Sequence, residues 1–259
     1  MGRWGHCLFG HDDAIGHAIK ISKDVAQGDD RQFAHMMSRV IVGCPPGVFG
    51  FYVEEYSLAE KIGPGEMEAS MDQLIQHKLD SGLGNELFEK YRAAEQHGFD
   101  FDDMSKYLVI VFAVVLMGYG AKIKESQIQH LRDLVPKLQC NEGVVPPFGD
   151  SGFRGPGKRQ FLAALDHYQA GKRRSFTQPS CHGCGKVNGD IKAEGKTLMK
   201  CGGCKNERAA AWFCDKDCQK GLWKHHKHNC GAPLGRGIAL FRSFGKASFG
   251  VIAYDGANV

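Results

Sequence analysis

Outside one short stretch the sequence is poor in cysteine. Of ten cysteines, only Cys7, Cys44 and Cys140 lie beyond residues 181–230. So scattered a trio makes no disulfide framework, and none has an adjacent partner that would mark a nucleophile, so buried structural thiols are expected. The chain also lacks an apolar run long enough to span a bilayer. Its longest, Tyr107 to Tyr119, falls short of the roughly 20 residues required and reads as a buried core helix. Residues 1–22 contain no continuous apolar segment and carry Asp12 and Asp13, so no secretory leader is expected. His6 stands where a myristoylation motif wants Ser or Thr. Equally missing are a Gly-rich dinucleotide loop after a strand, a P-loop and a GxSxG elbow. What remains points to the cytoplasm or the nucleus, where thiols stay reduced and bind metal.

At 259 residues the chain has room for one sizeable domain and a small one. Its charge is unevenly divided. Residues 1–170 hold 17 Lys/Arg against 23 Asp/Glu, a balance of −6, and residues 171–259 hold 16 against 6, a balance of +10. A basic half suggests nucleic-acid binding. Zinc thiolate sites would lower that figure, since four thiolates around Zn²⁺ carry −2 and three thiolates with an imidazole carry −1. The basic character is therefore moderate. The run Lys172-Arg173-Arg174 reads as a solvated linker.

Residues 1–170 read as a mainly helical domain. Asp12 or Asp13 can cap a helix through Ser22, with Ile15, Ala18 and Ile19 on one face. Met67, Met71, Leu74 and Ile75 mark an amphipathic helix ending before Ser81-Gly82, and Leu87, Phe88 and Tyr91 the buried side of a short one. Asp102 or Asp103 caps the apolar helix of Met104 to Met117, stopped by Gly118 and Gly120. Ile128, Leu131, Leu134, Val135 and Leu138 form another stripe. Residues 141–157 are rich in Gly and Pro and read as an irregular connection, before a last helix near Lys158 to Tyr168. Residues 36–60 fit strand or loop. Residues 171–180 are expected to link this domain to a zinc module at 181–230, followed by a Gly-rich tail at 231–259. His11 beside Asp12 and Asp13 reads as a capped helix start with a surface histidine.

The stretch from Cys181 to Cys230 carries the chemistry. Its spacing is Cys181-x2-Cys184, Cys201-x2-Cys204, Cys214-x3-Cys218 and His226-x3-Cys230. Seven thiols and one imidazole complete two tetrahedral Zn²⁺ sites with no ligand left over. Each C-x2-C pair can form a tight knuckle, and Gly185 after the first and Gly202 and Gly203 inside the second relieve crowding where the backbone bends toward sulfur. The two i, i+4 pairs place both ligands on one face of a helix. That geometry selects His226, because His225 would be turned away by roughly 140° from Cys230. His182, His225 and His228 are read as solvated. Leu198, Trp212, Phe213, Leu222 and Trp223 supply only a miniature core, so zinc must contribute on the order of 10 kcal/mol per site to folding.

This order of ligands resembles the MYND-type zinc finger. Phe213 matches the aromatic before the fifth ligand, Gln219 the glutamine after the sixth, and Trp223 the tryptophan three before the histidine. The resemblance implies a cross-brace: Cys181, Cys184, Cys214 and Cys218 around one zinc, Cys201, Cys204, His226 and Cys230 around the other. It also implies capture of short proline-containing peptides, with Gln219 and Trp223 as the contacts. Two features depart from the family pattern. The gaps between Cys184 and Cys201 and between Cys204 and Cys214 are long, and Leu222 stands where Asp is common. The opening Met1-Gly2-Arg3-Trp4-Gly5, with Phe9 and Asp12-Asp13-Ala14, resembles an uncharacterised bacterial domain family beginning MGxWG, which implies no function.

The expected fold is mainly α, a helical domain followed by a cross-braced two-zinc module. MYND fingers also occur inserted in SET-domain lysine methyltransferases. However, the chain shows neither the asparagine-histidine motif of a SET domain nor its post-SET cysteines. Zinc sites with four protein ligands leave no open position for catalysis. The expectation is a protein-interaction protein that binds a proline-containing segment of a partner and catalyses nothing by itself. The alternatives are a nucleic-acid-binding regulator using the basic C-terminal part, or an unrecognised enzyme in residues 1–170.

Overall fold

The computed structural model describes residues 8–41, 66–95, 102–142, 152–205, 210–228 and 230–231. The architecture is mainly α, with a compact two-cage module near the C-terminus. The expectations for Met1 to Gly5, Cys7, Cys44, Val48 to Val53 and the tail beyond Gly231 lie outside the described residues.

The centre is helix α5 (Asp102–Tyr119), preceded by α1 (Asp12–Ala26), α2 (Asp30–Ile41), α3 (Glu66–Lys78) and α4 (Gly84–Ala94). Every residue from Tyr107 to Met117 is buried, as expected of a helix that is apolar all round. Its many Val and Ile residues have mediocre helix propensity, so burial and not propensity fixes the conformation. Helices α1, α3 and α4 pack on it, together with α6 (Glu125–Leu134). Among the described residues no helix is long and apolar enough to cross a membrane.

The helical stripes pack as read, with local exceptions. Ile15, Ala18 and Ser22 of α1 are buried, but the helix runs four residues past Ser22 and starts without a side-chain cap. His11 is not a surface residue. It is 2% exposed, with Nε2 3.0 Å from the Tyr107 hydroxyl, which donates to the Leu8 carbonyl. Desolvation lowers the pKa of neighbouring His17 to about 4. Residues 36–41, ambiguous in the sequence, are helical. Ile75 is buried as expected, whereas Leu74 is half exposed. Instead of ending before Ser81-Gly82, the chain passes through a π-helical turn, Leu79–Leu83, kinked at Gly82, and enters α4 directly. Leu87, Phe88 and Tyr91 are buried there.

After α6 and a 3-10 turn at Val135–Lys137, strand β1 (Cys140–Asn141) pairs in parallel with β2 (Phe153–Arg154) inside the region read as irregular. Cys140 is partly buried and packs against the core. Helix α7 (Gly155–Asp166) follows and buries Phe161 and Leu165.

The backbone of residues 171–174 is tied down, although Lys172 and Arg173 stay exposed and only Arg174 is partly buried. The Gly171 N–H donates to the Gly120 carbonyl and the Arg174 N–H to that of Met117. Arg173 pairs with Asp72, a carboxylate only 1% exposed. His35 at 2.8 Å and Arg39 at 2.5 Å also contact Asp72. One buried carboxylate thus joins α2, α3 and the segment leading to the C-terminal module. Removing one partner of a buried ion pair typically costs about 3–5 kcal/mol. Asp72→Asn is therefore expected to destabilise the helical part by about 3 kcal/mol in urea denaturation. A change within about 0.5 kcal/mol, the range usual for surface substitutions, would show that this carboxylate does not hold the cluster.

Candidate metal centre

The C-terminal module has a core of its own. Ile191, Leu198, Ala210, Ala211, Phe213 and Leu222 are buried among the cysteines. Strand β3 (Met199–Lys200) pairs antiparallel with β4 (Trp212–Phe213). The long gap after Cys184 is occupied by helix α8 (Asn188–Ile191) and a 3-10 turn at Lys192–Glu194, and Ile191 enters the core from it. Leu222, at the position where Asp is common, is 8% exposed and fills the same core.

Backbone hydrogen bonds aim the thiols. The Gly185 N–H donates to the Cys181 carbonyl and the Cys204 N–H to that of Cys201, closing the two knuckles. The knuckles are sewn to β4 and its approach, since His182 N–H donates to the Trp212 carbonyl and Cys201 N–H to that of Ala211. At Gly203 an added Cβ would lie 2.5 Å from Cys230 Sγ, and at Gly185 it would overlap the Arg159 backbone. Both positions therefore require glycine. Helix α9 (Lys216–His226) presents Cys218 and His226, while Cys214 precedes it and Cys230 follows it, so neither i, i+4 pair lies wholly on a helix as the spacing suggests. The N-cap of α9 is Asp215, whose carboxylate accepts from the Cys218 N–H at 2.8 Å and pairs with Lys196. That backbone bond, followed by Lys196, holds the Asp215 pKa at about 2. Asp215 was not singled out from the sequence, although an Asp immediately before a helical ligand pair is an N-cap signal.

All eight residues expected as ligands come together in two groups. The candidate ligand atoms of Cys181, Cys184, Cys214 and Cys218 lie within 4.8 Å of one another, as do those of Cys201, Cys204, His226 and Cys230. Tetrahedral Zn–S bonds of about 2.3 Å require sulfurs about 3.8 Å apart. The observed separations are 3.7 Å for Cys184–Cys214, 3.5 Å for Cys214–Cys218 and 3.7 Å for Cys201–Cys230. His226 Nε2 sits 3.5 Å from Cys204 Sγ and 3.3 Å from Cys201 Sγ. The ligands interleave along the chain, and the two tetrads fit two zinc ions.

Electrostatics support the same fit. Burial, then the neighbouring thiols, pushes Cys214 and Cys230 up to about 12 and raises Cys218. Against the cost of burial, the Cys214 and Cys184 N–H groups hold Cys181 below its ordinary value. Without a cation only part of such a cluster can ionise; a divalent ion allows the rest to follow. His226 is lowered by burial, which favours the neutral, ligating imidazole.

The residue following the first thiol differs from its expectation. His182 is 6% exposed and its ring lies against Phe213. His225 is partly buried and His228 is exposed.

The MYND finger family model matches residues 181–230. These residues are a MYND finger. Modules of this kind generally serve protein interaction. The chain is also 34% identical over 105 residues to the N-lysine methyltransferase SMYD2 of Gallus gallus, covering 36% of this chain and 21% of that protein. It thus spans about a fifth of the relative's length. No solved structure matches it. The likeness to SMYD2 overturns the expectation that the chain is not an enzyme. Its 36% share of the chain exceeds what the fifty-residue finger could supply.

Of the two residues expected to touch a peptide, Trp223 is 45% exposed while one edge of its indole meets His226 at 5.8 Å. It is both packed and accessible. Gln219 is partly buried, and its Nε2 points at Cys201 Sγ from 3.6 Å.

Protein purified without added metal is expected to contain two equivalents of zinc by elemental analysis. Cys184→Ser should remove one equivalent, and His226→Ala should alter only the cobalt spectrum of the site containing nitrogen. One equivalent in the unaltered protein would contradict the eight-ligand arrangement. Chelation should collapse amide dispersion across residues 181–230 while most of the helical far-UV signal persists, because apolar packing holds the helices.

Proposed function

We propose that this chain engages a partner protein through its MYND finger, which captures a short proline-containing segment. Cys181, Cys184, Cys214 and Cys218 hold one structural zinc, and Cys201, Cys204, His226 and Cys230 hold the other. Neither ion reacts; each fixes the relative position of β3, β4 and α9. The carrying observation is Trp223, a large aromatic face left exposed on a module whose other apolar side chains are mostly spent on its core. An exposed indole stacks well on a proline ring and keeps its N–H for a carbonyl. Strand β3 pairs only with β4 among the described residues, so its other edge can receive an extended segment by strand addition. Gln219 offers a donor and an acceptor beside it. In this reading residues 1–170 form a mainly helical domain that presents the finger.

Titration of a proline-rich peptide library by fluorescence anisotropy tests this reading. Trp223→Ala is expected to weaken binding about tenfold or more, the range of an interface hot spot, with two zinc ions retained. Gln219→Ala should weaken it less and leave zinc content unchanged, since the amide is not a ligand. If no peptide binds the unaltered protein, the reading fails.

The likeness to SMYD2 favours a second activity, methylation of a lysine on a protein substrate. The bound segment would then be part of that substrate or of an accessory partner. Full-length protein incubated with S-adenosylmethionine and a pool of lysine-containing peptides should yield methyl-lysine detectable by mass spectrometry. A pool left unmodified would remove this activity from the reading.

A further inference from the structure

Helix α9 carries more than two ligands and a tryptophan. Lys216, Lys220, Lys224 and Lys227 recur at intervals of four, four and three residues, the spacing that lines up side chains along one face of a helix. At about 100° per residue they occupy an arc of about 80°. Trp223 borders that arc, about 20° from Lys216, and Gln219 lies about 40° beyond Trp223. The buried side of the helix, Leu222 and His226, is turned farther still. All four lysines are exposed. Among the described residues none is in an ion pair, although the finger pairs Lys186 and Lys196 with Glu194 and Lys196 also with Asp215. Asp217, one turn from Lys220 and two from Lys224, is the acid within this helix. The aromatic face therefore has an unneutralised cationic stripe along one side.

A second feature extends the apolar surface. Met199, 50% exposed, stands opposite Phe213 in the β3–β4 ladder. Directly paired residues of antiparallel strands share a face. Phe213 meets His226 at 5.9 Å, and His226 meets Trp223 at 5.8 Å. Phe213 and His226 are themselves buried, so Met199 and Trp223 are two separate exposed apolar side chains of the finger.

We infer that the finger selects proline-containing segments flanked by acidic residues. Resting on the peptide-capture reading above, the exposed Trp223 takes the proline-containing core and the Lys216–Lys227 stripe takes carboxylates beside it. The chain's own residues 232–259 have the wrong sign for this place, with Arg236, Arg242 and Lys246 against Asp255. Nucleic acid would also meet the lysines, but an exposed methionine on the same module suits a polypeptide better than a phosphate backbone.

The test uses full-length zinc-loaded protein and proline-containing peptides made in three forms, identical in core and flanked on both sides by Glu, Gln or Lys. At low salt the Glu-flanked form should bind about tenfold more tightly than the Gln-flanked form, and the Lys-flanked form most weakly. Raising salt to about 1 M, where the Debye length shrinks to about 3 Å, should bring the three close together. Lys220→Gln combined with Lys224→Gln, both positions being outside the ligand set, should remove most of the preference while two zinc ions remain bound. Equal binding of all three forms would overturn the acidic-flank inference and leave peptide capture standing. No binding of any form would overturn both. Tighter binding of a single-stranded oligonucleotide than of the Glu-flanked peptide, abolished in the double variant, would assign the stripe to nucleic acid instead.

Discussion

Sulfur atoms crowded this closely resist ionisation together, and the C-terminal module is built around that resistance. Each tetrad brings its donor atoms within 4.8 Å, where every added thiolate raises the cost of the next. A divalent cation removes the penalty and converts repulsion into the main source of cohesion. The apolar residues of the module, Ile191, Leu198, Phe213 and Leu222 among them, are too few to hold it alone. The remaining features follow from making those cages fit: glycine where sulfur approaches backbone, an aspartate cap before Cys218, and strands short enough to carry knuckles at their ends.

The cages also bear on their surroundings. The Arg159 side chain donates from Nε to the His182 carbonyl at 2.6 Å and makes a bidentate pair with Glu142. His182 immediately follows the first thiol, so α7 grips the first knuckle. Arg174 makes a second bidentate pair, with Asp190 at 2.8 and 2.6 Å, while its backbone bonds to the end of α5. A planar guanidinium is suited to such two-point attachment. The finger is thereby oriented by two arginines from the helical side.

Metal ligation and helical burial leave strong local traces in a sequence, and these were readable. The ligand set is legible from its paired spacing, although each pair straddles an end of α9 and does not lie on one helix face. The all-apolar stretch from Tyr107 is legible because nothing but a core accepts it. The interleaving of the tetrads came from family resemblance, because spacing alone does not choose among pairings. Buried polar groups left no such trace. Asp72 meets His35 across 37 positions and Arg173 across 101, and His11 meets Tyr107 across 96. Those partners are set by how helices pack, so neither the burial of His11 nor the pairing of Arg173 with Asp72 is signalled by local spacing.

The interleaved order has a consequence for synthesis. Cys181 and Cys184 leave the ribosome well before Cys214 and Cys218, and Cys201 and Cys204 before His226 and Cys230. Neither tetrad can close around an ion until the second half of its donors has been made, a delay of about 2–7 s at ordinary elongation rates of about 5–20 residues per second. During that interval the helices from α1 to α7 are already available to fold, while two knuckles stand open with reactive thiols. The nascent finger is thus most exposed to oxidation, or to capture of a wrong metal, between synthesis of the first and second halves of its donors. Cells short of free zinc would be expected to register the shortage there first.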